Sequence, residues 1–519
     1  MTQSSRMIVR AAAIADLSAI RAVTTKAYPG MAAYTRDELR GQINNFPEGQ
    51  LVAEYEGKVV GYCATLCLPE EQVLAPHTWA EITGNGYGST HDSDGDYLYG
   101  YEVCVDPDFR GMRIAQRLYR ERFALCRKLG LKGVVFGGRL PGLRRRFKKA
   151  GSAQEYVDHV TARRWRDAVL TFQLNNGFEV LGVLPDYMPD DKPSMGYAAH
   201  LIWRNPEHEN RQPVPGDSHV HLQMPVTVRV ATVQYLQRQI SSLDEFRQIA
   251  TYFVREVADN RCDFVVFPEL FTVQLLSINN EELEHREAIQ QLADYEVPFR
   301  EIMQDLAVRY NINIIAGSHP SWVGDQLQNM GYIYLRDGSE YRQPKIHPTP
   351  GERYWWNIRG GDSLNAIETD CGPIGVLVCY DSEFPELARH LTNQGINLLF
   401  VPFSTEDRSG YLRVRYCSHA RAVENQIYVA TAGNVGNLPR IHAMDIHYAQ
   451  SAIITPCDFP FARDGVAADT TPNVEMVAIA DLRLDILRDS RTSGTVQNLL
   501  DRRHDLYRVQ WKPPRSRLR

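Results

Sequence analysis

The chain has 519 residues, with 57 lysines and arginines against 63 aspartates and glutamates and a formal net charge of −6. That length predicts two or three domains, and the near-balance of charge gives no support for a nucleic-acid or membrane partner. The nine cysteines lack any Cys-x-x-Cys pair, which argues against a zinc site and suits a reducing compartment. Since no run reaches about 18 apolar residues and no signal region opens the chain, we expect a soluble, cytoplasmic protein.

The first hundred residues predict short strands and helices. Residues 7–10 form a predicted strand, and Asp16 is expected to cap the helix that follows. Two apolar runs, 51–55 and 59–64, flank a Gly-containing turn and predict a hairpin. Residues 69–96 predict a loop whose acidic cluster lacks the spacing of a calcium site, so no metal is expected.

A predicted strand over 101–105 runs into Asp-Pro, a Gly-containing turn and a helix. Free N–H groups at that helix start would suit a pyrophosphate. This order, with Asn175–Phe178 further on, resembles the GNAT acyltransferases over about residues 7–203. The resemblance implies a mixed sheet with helices that binds acetyl-CoA through Val103, Val105, Arg110, Gly111, Met112, Arg113, Ile114, Ala115 and Asn176.

Two features depart from the GNAT pattern. Arg113 stands where the family has its central glycine, so a second hypothesis is a non-catalytic module that senses acyl-CoA or recruits a partner. An insertion between Phe136 and Phe172 carries the basic run 144–149, which favours a solvated helix face, with contact to CoA phosphates or a polyanion as the alternative. Glu102 is a candidate catalytic base or simply a polar strand residue.

Proline, glycine and charge without apolar periodicity mark a linker over 204–225, between a domain at 1–203 and one at 226–519. The nearby histidines are expected at the surface, not as metal ligands: His208, His219 and His221.

Strands and helices alternate after the linker, which predicts an α/β domain. The predicted strands are 226–235, 263–267, 312–317, 330–335, 374–379, 398–402 and 426–433, and the helices are 243–259, within 281–310, 384–394 and 412–425. Cys379 stands where a strand meets a helix, and nearby N–H groups there favour a thiolate and could hold an oxyanion.

An acid, a lysine and a cysteine follow predicted strands in the order Glu269, Lys345, Cys379. This order resembles the nitrilase superfamily of carbon–nitrogen hydrolases, as do Gly317–Pro320 and Arg421–Asn425, over about residues 226–510. The resemblance implies a four-layer αββα sandwich and hydrolysis through a Cys thioester. It implies these roles: Glu269 as base, Lys345 and the N–H of Tyr380 at the oxyanion, and Glu352 orienting Lys345 or the water.

The substrate stays open between an amide and a nitrile, and we expect a small amide because amides are commoner in the superfamily. Thr405 and Glu406 follow a strand at the expected site and are substrate-contact candidates. The family also implies a homodimer or larger homo-oligomer, and we expect no cofactor in the hydrolase domain.

Overall fold

The computed structural model describes residues 6–208, 226–279, 283–439 and 446–512. The chain separates into two compact units, Met1–His219 and Val220–Arg519. Most of the predicted linker, with His219 and His221, lies outside the described residues, so the domain boundaries stay a prediction. Among the helices described, none has the length and apolar character that a membrane crossing requires.

The first unit is one mixed sheet with helices. Its strands are β1 (Met7–Ala11), β2 (Gln50–Tyr55), β3 (Lys58–Leu68), β4 (Tyr97–Val105), β5 (Gly133–Arg139), β6 (Glu179–Leu184) and β7 (Ala198–Arg204). Its helices are α1 (Leu17–Ala27), α2 (Arg36–Asn45), α3 (Glu70–Leu74), α4 (Trp79–Thr83), α5 (Ile114–Lys128), α6 (Leu143–Ala150), α7 (Ala153–Thr161) and α8 (Ala168–Asn175). The strand order is β1-β2-β3-β4-β5-β7-β6.

The sheet opens between its two central strands. β4 and β5 pair in parallel only where Tyr97–Tyr99 meets Gly133–Val135. Beyond that point β5 continues against β7, and the rest of β4 follows β3 across a bulge near Thr65. Since bulges bend a strand and end regular pairing, β4 diverges from β5 over its second half.

Two details of the first unit differ from the sequence predictions. Asp16 stands before α1, but its carboxylate makes no capping bond to that helix and instead accepts from Arg10 at 2.7 Å. The region expected to be loop-rich, 69–96, also contains the two short helices α3 and α4. α4 begins with Thr78 and Glu81 in a reciprocal capping pair, a local signal that explains the helix.

The second unit contains twelve strands and seven helices within the described residues. Its strands are β8 (Thr227–Leu236), β9 (Phe264–Val266), β10 (Asn313–Val323), β11 (Gln326–Tyr334), β12 (Glu340–Pro344), β13 (Ile374–Val376), β14 (Leu398–Phe403), β15 (Tyr428–Asn437), β16 (Ile446–His447), β17 (Ala452–Ile454), β18 (Val466–Asp469) and β19 (Met476–Arg483). Its helices are α9 (Leu243–Asp259), α10 (His285–Ala293), α11 (Glu296–Tyr310), α12 (Pro350–Tyr354), α13 (Pro385–Thr392), α14 (Arg408–Asn425) and α15 (Leu484–Ser493).

These elements form the αββα sandwich. The strands run β12-β11-β10-β9-β8 on one side, with β19 against β8, and β15-β14-β13 on the other. Apolar side chains of both halves meet in one core, where the rings of Phe264 and Phe400 lie 5.2 Å apart. α9 and α11 cover one outer face, and α13 and α14 cover the other. The predicted fold class is confirmed for both units.

Candidate active site

The turn that carries Glu269 packs against a position in β10 that only a glycine can occupy. Glu269 follows β9 by three residues, and Leu270 after it has a left-handed φ of 51°. Gly317 packs so closely that a Cβ there would lie 1.8 Å from the Pro268 carbonyl oxygen. Ser318 then accepts from the Leu270 N–H through its own carbonyl at 3.1 Å. The Gly317-Ser318 pair therefore fixes the backbone that carries Glu269.

Three predicted residues meet in one buried cluster. The Lys345 Nζ donates to Glu269 Oε1 and to Glu352 Oε2, both at 2.7 Å. All three side chains are buried, with Lys345 only 1 % exposed. Glu352 is oriented by its own helix, because the Thr349 N–H donates to its Oε2 at 2.6 Å in a capping box at the start of α12.

Cys379 lies beside this cluster in a left-handed backbone conformation. Its φ is 49°, and it opens a short 3-10 turn, Cys379–Glu383. The predicted strand ends at Val376, earlier than expected, and α13 begins only at Pro385. A left-handed non-glycine residue is uncommon and marks a position that the surrounding structure must hold in place.

Ser404, which the sequence reasoning missed, connects Glu269 and the Cys379 thiol. Its N–H donates to Glu269 Oε2 at 3.0 Å, and its carbonyl accepts from the Cys379 thiol at 3.7 Å. Asn434 supports both groups, since its amide donates to the Glu269 carbonyl at 2.7 Å and to the Ser404 hydroxyl at 3.3 Å. The only sequence signal for Ser404 was its place just after a predicted strand.

Asn329, also missed, bridges the two glutamates. Its Nδ2 donates to Glu269 Oε1 and Glu352 Oε1, both at 2.9 Å. Its carbonyl also accepts the Lys345 N–H at 2.9 Å. Asn329 lies within β11 and is fully buried. Nothing in the sequence distinguishes a polar residue that faces a site from one on the solvent side of a strand.

Asp381 connects the turn that begins at Cys379 to the loop that follows Lys345. Its carboxylate accepts the N–H groups of Ile346 and His347, each at 2.8 Å, and contacts the His347 ring nitrogen Nδ1 at 2.9 Å. The carboxylate is buried, with 2 % exposed. Since Ile346 directly follows Lys345, and Asp381 lies two residues after Cys379, this clamp sets the distance between lysine and thiol.

Burial and charge act on the four ionisable groups in different directions. Burial raises the pKa of Glu269 against the pull of Lys345, and burial with the nearby Glu269 carboxylate raises the pKa of Cys379 well above its usual value. Burial disfavours the Lys345 cation, but Glu269 and Glu352 hold its pKa well above the usual range. Burial opposes ionisation of Glu352, yet Lys345 lowers its pKa overall.

These shifts differ from one sequence expectation. The sequence suggested that N–H groups near Cys379 would favour a thiolate, whereas burial and the Glu269 carboxylate raise the pKa of that thiol. The Glu269 carboxylate and the Cys379 thiol therefore both hold a proton more strongly than they would in water.

The remaining predicted hydrolase residues lie at the rim. Tyr380 follows the thiol, with its ring 5.0 Å from that of Phe384. The Thr405 hydroxyl donates to the Tyr448 carbonyl at 2.7 Å, so it already holds neighbouring backbone. Glu406 is exposed.

Most of the predicted acyl-CoA residues lie on the second half of β4 and on the loop that leads into α5. Val103 and Val105 lie on the half of β4 that has left β5, and Arg110 is exposed in the loop before α5. Gly111 and Arg113 are both left-handed, with φ of 89° and 52°. Arg113 thus keeps the backbone conformation that a glycine adopts without strain.

That loop brings Met112, Ile114 and Ala115 to the start of α5, where backbone N–H groups point outward. Asn176 lies at the end of α8, where its amide donates to the Phe172 carbonyl at 2.7 Å, and its contact with a cofactor stays a prediction.

Glu102 lies on the same half of β4 and accepts two phenol hydroxyls, from Tyr28 at 2.7 Å and Tyr34 at 3.2 Å. Burial raises its pKa, and the tyrosine bonds oppose that shift. A carboxylate so placed beside the opening can accept a proton from an acyl acceptor.

The structure thus holds a buried Cys-Glu-Lys cluster in one unit and a mixed sheet that opens between β4 and β5 in the other. Residues 229–492 match the carbon-nitrogen hydrolase family, and residues 17–143 match the acetyltransferase (GNAT) family. The chain belongs to the carbon-nitrogen hydrolase family, carries a GNAT domain ahead of the hydrolase domain, and is an enzyme.

Three relatives support this assignment. The probable hydrolase YhcX of Bacillus subtilis is 44 % identical over 98 % of both chains. The uncharacterized N-acetyltransferase YkwB of Bacillus subtilis is 32 % identical over 34 % of this chain and 78 % of its own. The omega-amidase NIT2 of Xenopus tropicalis is 28 % identical over 55 % of this chain and 98 % of its own.

Proposed function

We propose that the second unit hydrolyses a small amide through a thioester on Cys379. The observation that carries this proposal is the buried contact of Lys345 with both Glu269 and Glu352, at 2.7 Å each, beside the thiol. An amide is favoured over a nitrile because the relatives that match most of this unit are named omega-amidases.

In this mechanism the Cys379 thiol gives its proton to Glu269 as sulfur attacks the amide carbon. The Lys345 ammonium and the Tyr380 N–H stabilise the resulting oxyanion, an effect for which one donor is typically worth about 3 kcal/mol. Glu269 passes the proton to the leaving nitrogen, which departs as ammonia or an amine. Glu269 next takes a proton from water, which attacks the thioester and releases the acid and the thiol.

Glu352 and Asn329 act through their neighbours. Glu352 directs the Lys345 ammonium, and Asn329 keeps both glutamates in place. Four hydrogen bonds reach the Glu269 carboxylate and the carbonyl of the same residue, so the base enters the cycle already oriented.

The test is ammonia release from short aliphatic amides, with and without a distal carboxylate, and from the matching nitriles. Cys379→Ala should abolish release while circular dichroism stays unchanged. Iodoacetamide labelling read by mass spectrometry gives a second readout, with exposed Cys457 as the internal control. Release that survives in Cys379→Ala would remove Cys379 as the nucleophile, and release from nitriles alone would establish a nitrilase.

We propose that the first unit binds an acyl-CoA in the opening between β4 and β5 and transfers the acyl group to an amine. The divergence of the two strands after Tyr99 supports this proposal, together with the left-handed loop at Gly111 and Arg113. Glu102 would accept the proton of the amine. Calorimetric titration with acetyl-CoA tests it: binding without transfer to any amine would favour a sensing module, and no heat would exclude the cofactor.

A further inference from the structure

A dense basic surface lies on the first unit, within the insertion between Phe136 and Phe172. Residues 143–166 contain eight lysines and arginines against two carboxylates, in a chain whose formal net charge is −6. We call the exposed cations of Arg144–Lys149 and Arg163–Arg166 the basic patch.

Packing of α6 turns its five cations outward. Leu143 and Ala150 are buried and Phe147 is half-buried, and these side chains pack into the core that also takes in α7. All the lysines and arginines of α6 are exposed. The apolar side chains of the helix are therefore buried in the unit, and its solvent-facing side carries only positive charge.

The fold brings the second basic segment against α6. The Gly142 N–H, just before α6, donates to the Asp167 carboxylate at 2.9 Å. Two cations of α6 lie over the Trp165 ring: the Arg146 Cζ is 5.2 Å from the ring centre, and the Lys149 Nζ is 6.0 Å from it. Both segments thus lie on one continuous surface, although more than ten residues separate them in sequence.

No counter-charge neutralises the basic patch. Within the part of the chain that the structure describes, none of its eight cations forms an ion pair. Three carboxylates lie nearby, and within the described residues none is within ion-pair distance of a patch cation. Asp158 accepts from Gln154 at 2.9 Å, the Glu155 N–H donates to the N-cap Ser152, and the buried Asp167 accepts from the Gly142 N–H and the Tyr156 hydroxyl. Elsewhere on this unit, surface cations such as Lys132 are paired with acids.

We propose that the basic patch binds the phosphate backbone of a nucleic acid. Six of its eight cations are arginines, whose planar forks bind phosphate through two bonds. No large apolar side chain of 143–166 is exposed, so the patch lacks the apolar centre of a protein interface and the apolar anchor of a membrane-surface helix. A nucleic acid needs neither, because charge alone supplies its backbone affinity.

The test is fluorescence anisotropy of the full chain with a labelled single-stranded RNA of about 20 nucleotides, over a range of salt. The patch variant is Arg144→Glu, Arg145→Glu and Arg164→Glu together. The matched control makes the same charge change at other exposed arginines: Arg36→Glu, Arg247→Glu and Arg286→Glu. Glutamates in the first turn of α6 suit the helix dipole, and thermal melting confirms that each variant folds.

We expect the patch variant to bind at least about tenfold more weakly and to lower the slope of log K against log salt by about 2, since single strands give about 0.7 per lost phosphate contact. The control should change affinity less than about threefold. Equal losses in both variants, or no binding by the unchanged chain at about 50 mM salt, would overturn the proposal. Tighter, patch-dependent binding to phosphatidylserine vesicles would also overturn it and assign the patch to a membrane surface.

Discussion

Each unit holds a carboxylate whose pKa is raised by burial, and the two carboxylates differ in the charge of their partners. Glu269 is bound by the Lys345 ammonium, with a second carboxylate on the same cation. Glu102 is bound by two neutral phenols. A buried charge network is costly to break because one partner is left uncompensated, whereas a carboxylate bound by neutral groups can be replaced at small cost.

The largest expected effect comes from removing the cation of the hydrolase network. Lys345→Met leaves two buried carboxylates facing each other, and we expect a loss of about 3–5 kcal/mol in unfolding free energy together with at least about 100-fold lower ammonia release. Because Lys345 lowers the pKa of Glu352, the stability loss should shrink as pH falls and the carboxylates take up protons. Urea denaturation at several pH values measures it.

The control is Lys132→Met, which removes a half-buried lysine paired with Glu70 and Asp96 in the first unit. We expect it to leave the free energy of unfolding nearly unchanged, because water screens such a partly exposed pair. Equal losses of unfolding free energy in the Lys345→Met and Lys132→Met variants would show that the buried charge network is no more costly to break than a partly exposed ion pair.

The next largest effects are expected from replacing each of the two buried glutamates by glutamine. Glu269→Gln should lower amide hydrolysis by about 10²–10⁴-fold, and Glu102→Gln should lower acyl transfer in the same range, because each removes the general base of the proposed mechanism. Each substitution should leave the other reaction intact, and each protein serves as the control for its partner. Initial rates of both reactions in both variants measure this, and an unchanged rate in either would remove that carboxylate as the base.

A smaller effect is expected at the clamp. Asp381→Asn replaces a carboxylate that accepts two N–H groups with a side chain that has only one accepting oxygen, so the loop that follows Lys345 should shift. We expect kcat to fall by about 10–100-fold with KM nearly unchanged, as for a misplaced catalytic group. His347→Phe is the control, since it keeps the ring beside Phe384 and removes only the ring bond. If Asp381→Asn and His347→Phe lower kcat equally and lower stability equally, the role of Asp381 is structural and does not position Lys345.

The smallest effect is expected in the acyl-CoA loop. Arg113→Gly relieves a left-handed backbone but adds chain entropy to the unfolded state, so we expect a gain below about 1 kcal/mol in stability. Arg113→Ala keeps the strain and removes the same charge. Acetyl-CoA affinity should fall equally in both if the guanidinium contacts phosphate, and a fall in Arg113→Ala alone would show that the backbone matters more.

Much of the fold followed from local patterns. The predicted helix 243–259 coincides with α9, whose first turn is capped by Ser242 and whose apolar side is buried. The prediction was less accurate at Cys379, where β13 ends at Val376 and a 3-10 turn intervenes before α13. Apolar periodicity reports burial, which continues through such a turn, so it does not mark where regular backbone ends.

The sequence by itself determined the two families, the αββα order of elements and the three strand-end residues Glu269, Lys345 and Cys379. It could do so because motif residues sit at strand ends, where a glycine, a proline or a cap fixes the backbone locally. Only the tertiary structure decided the roles of Asn329, Ser404 and Asp381, because their contacts join segments tens of residues apart. The basic patch also depends on the tertiary structure, because folding brings its two segments together. The formal net charge of −6 does not show how charge is distributed over the surface.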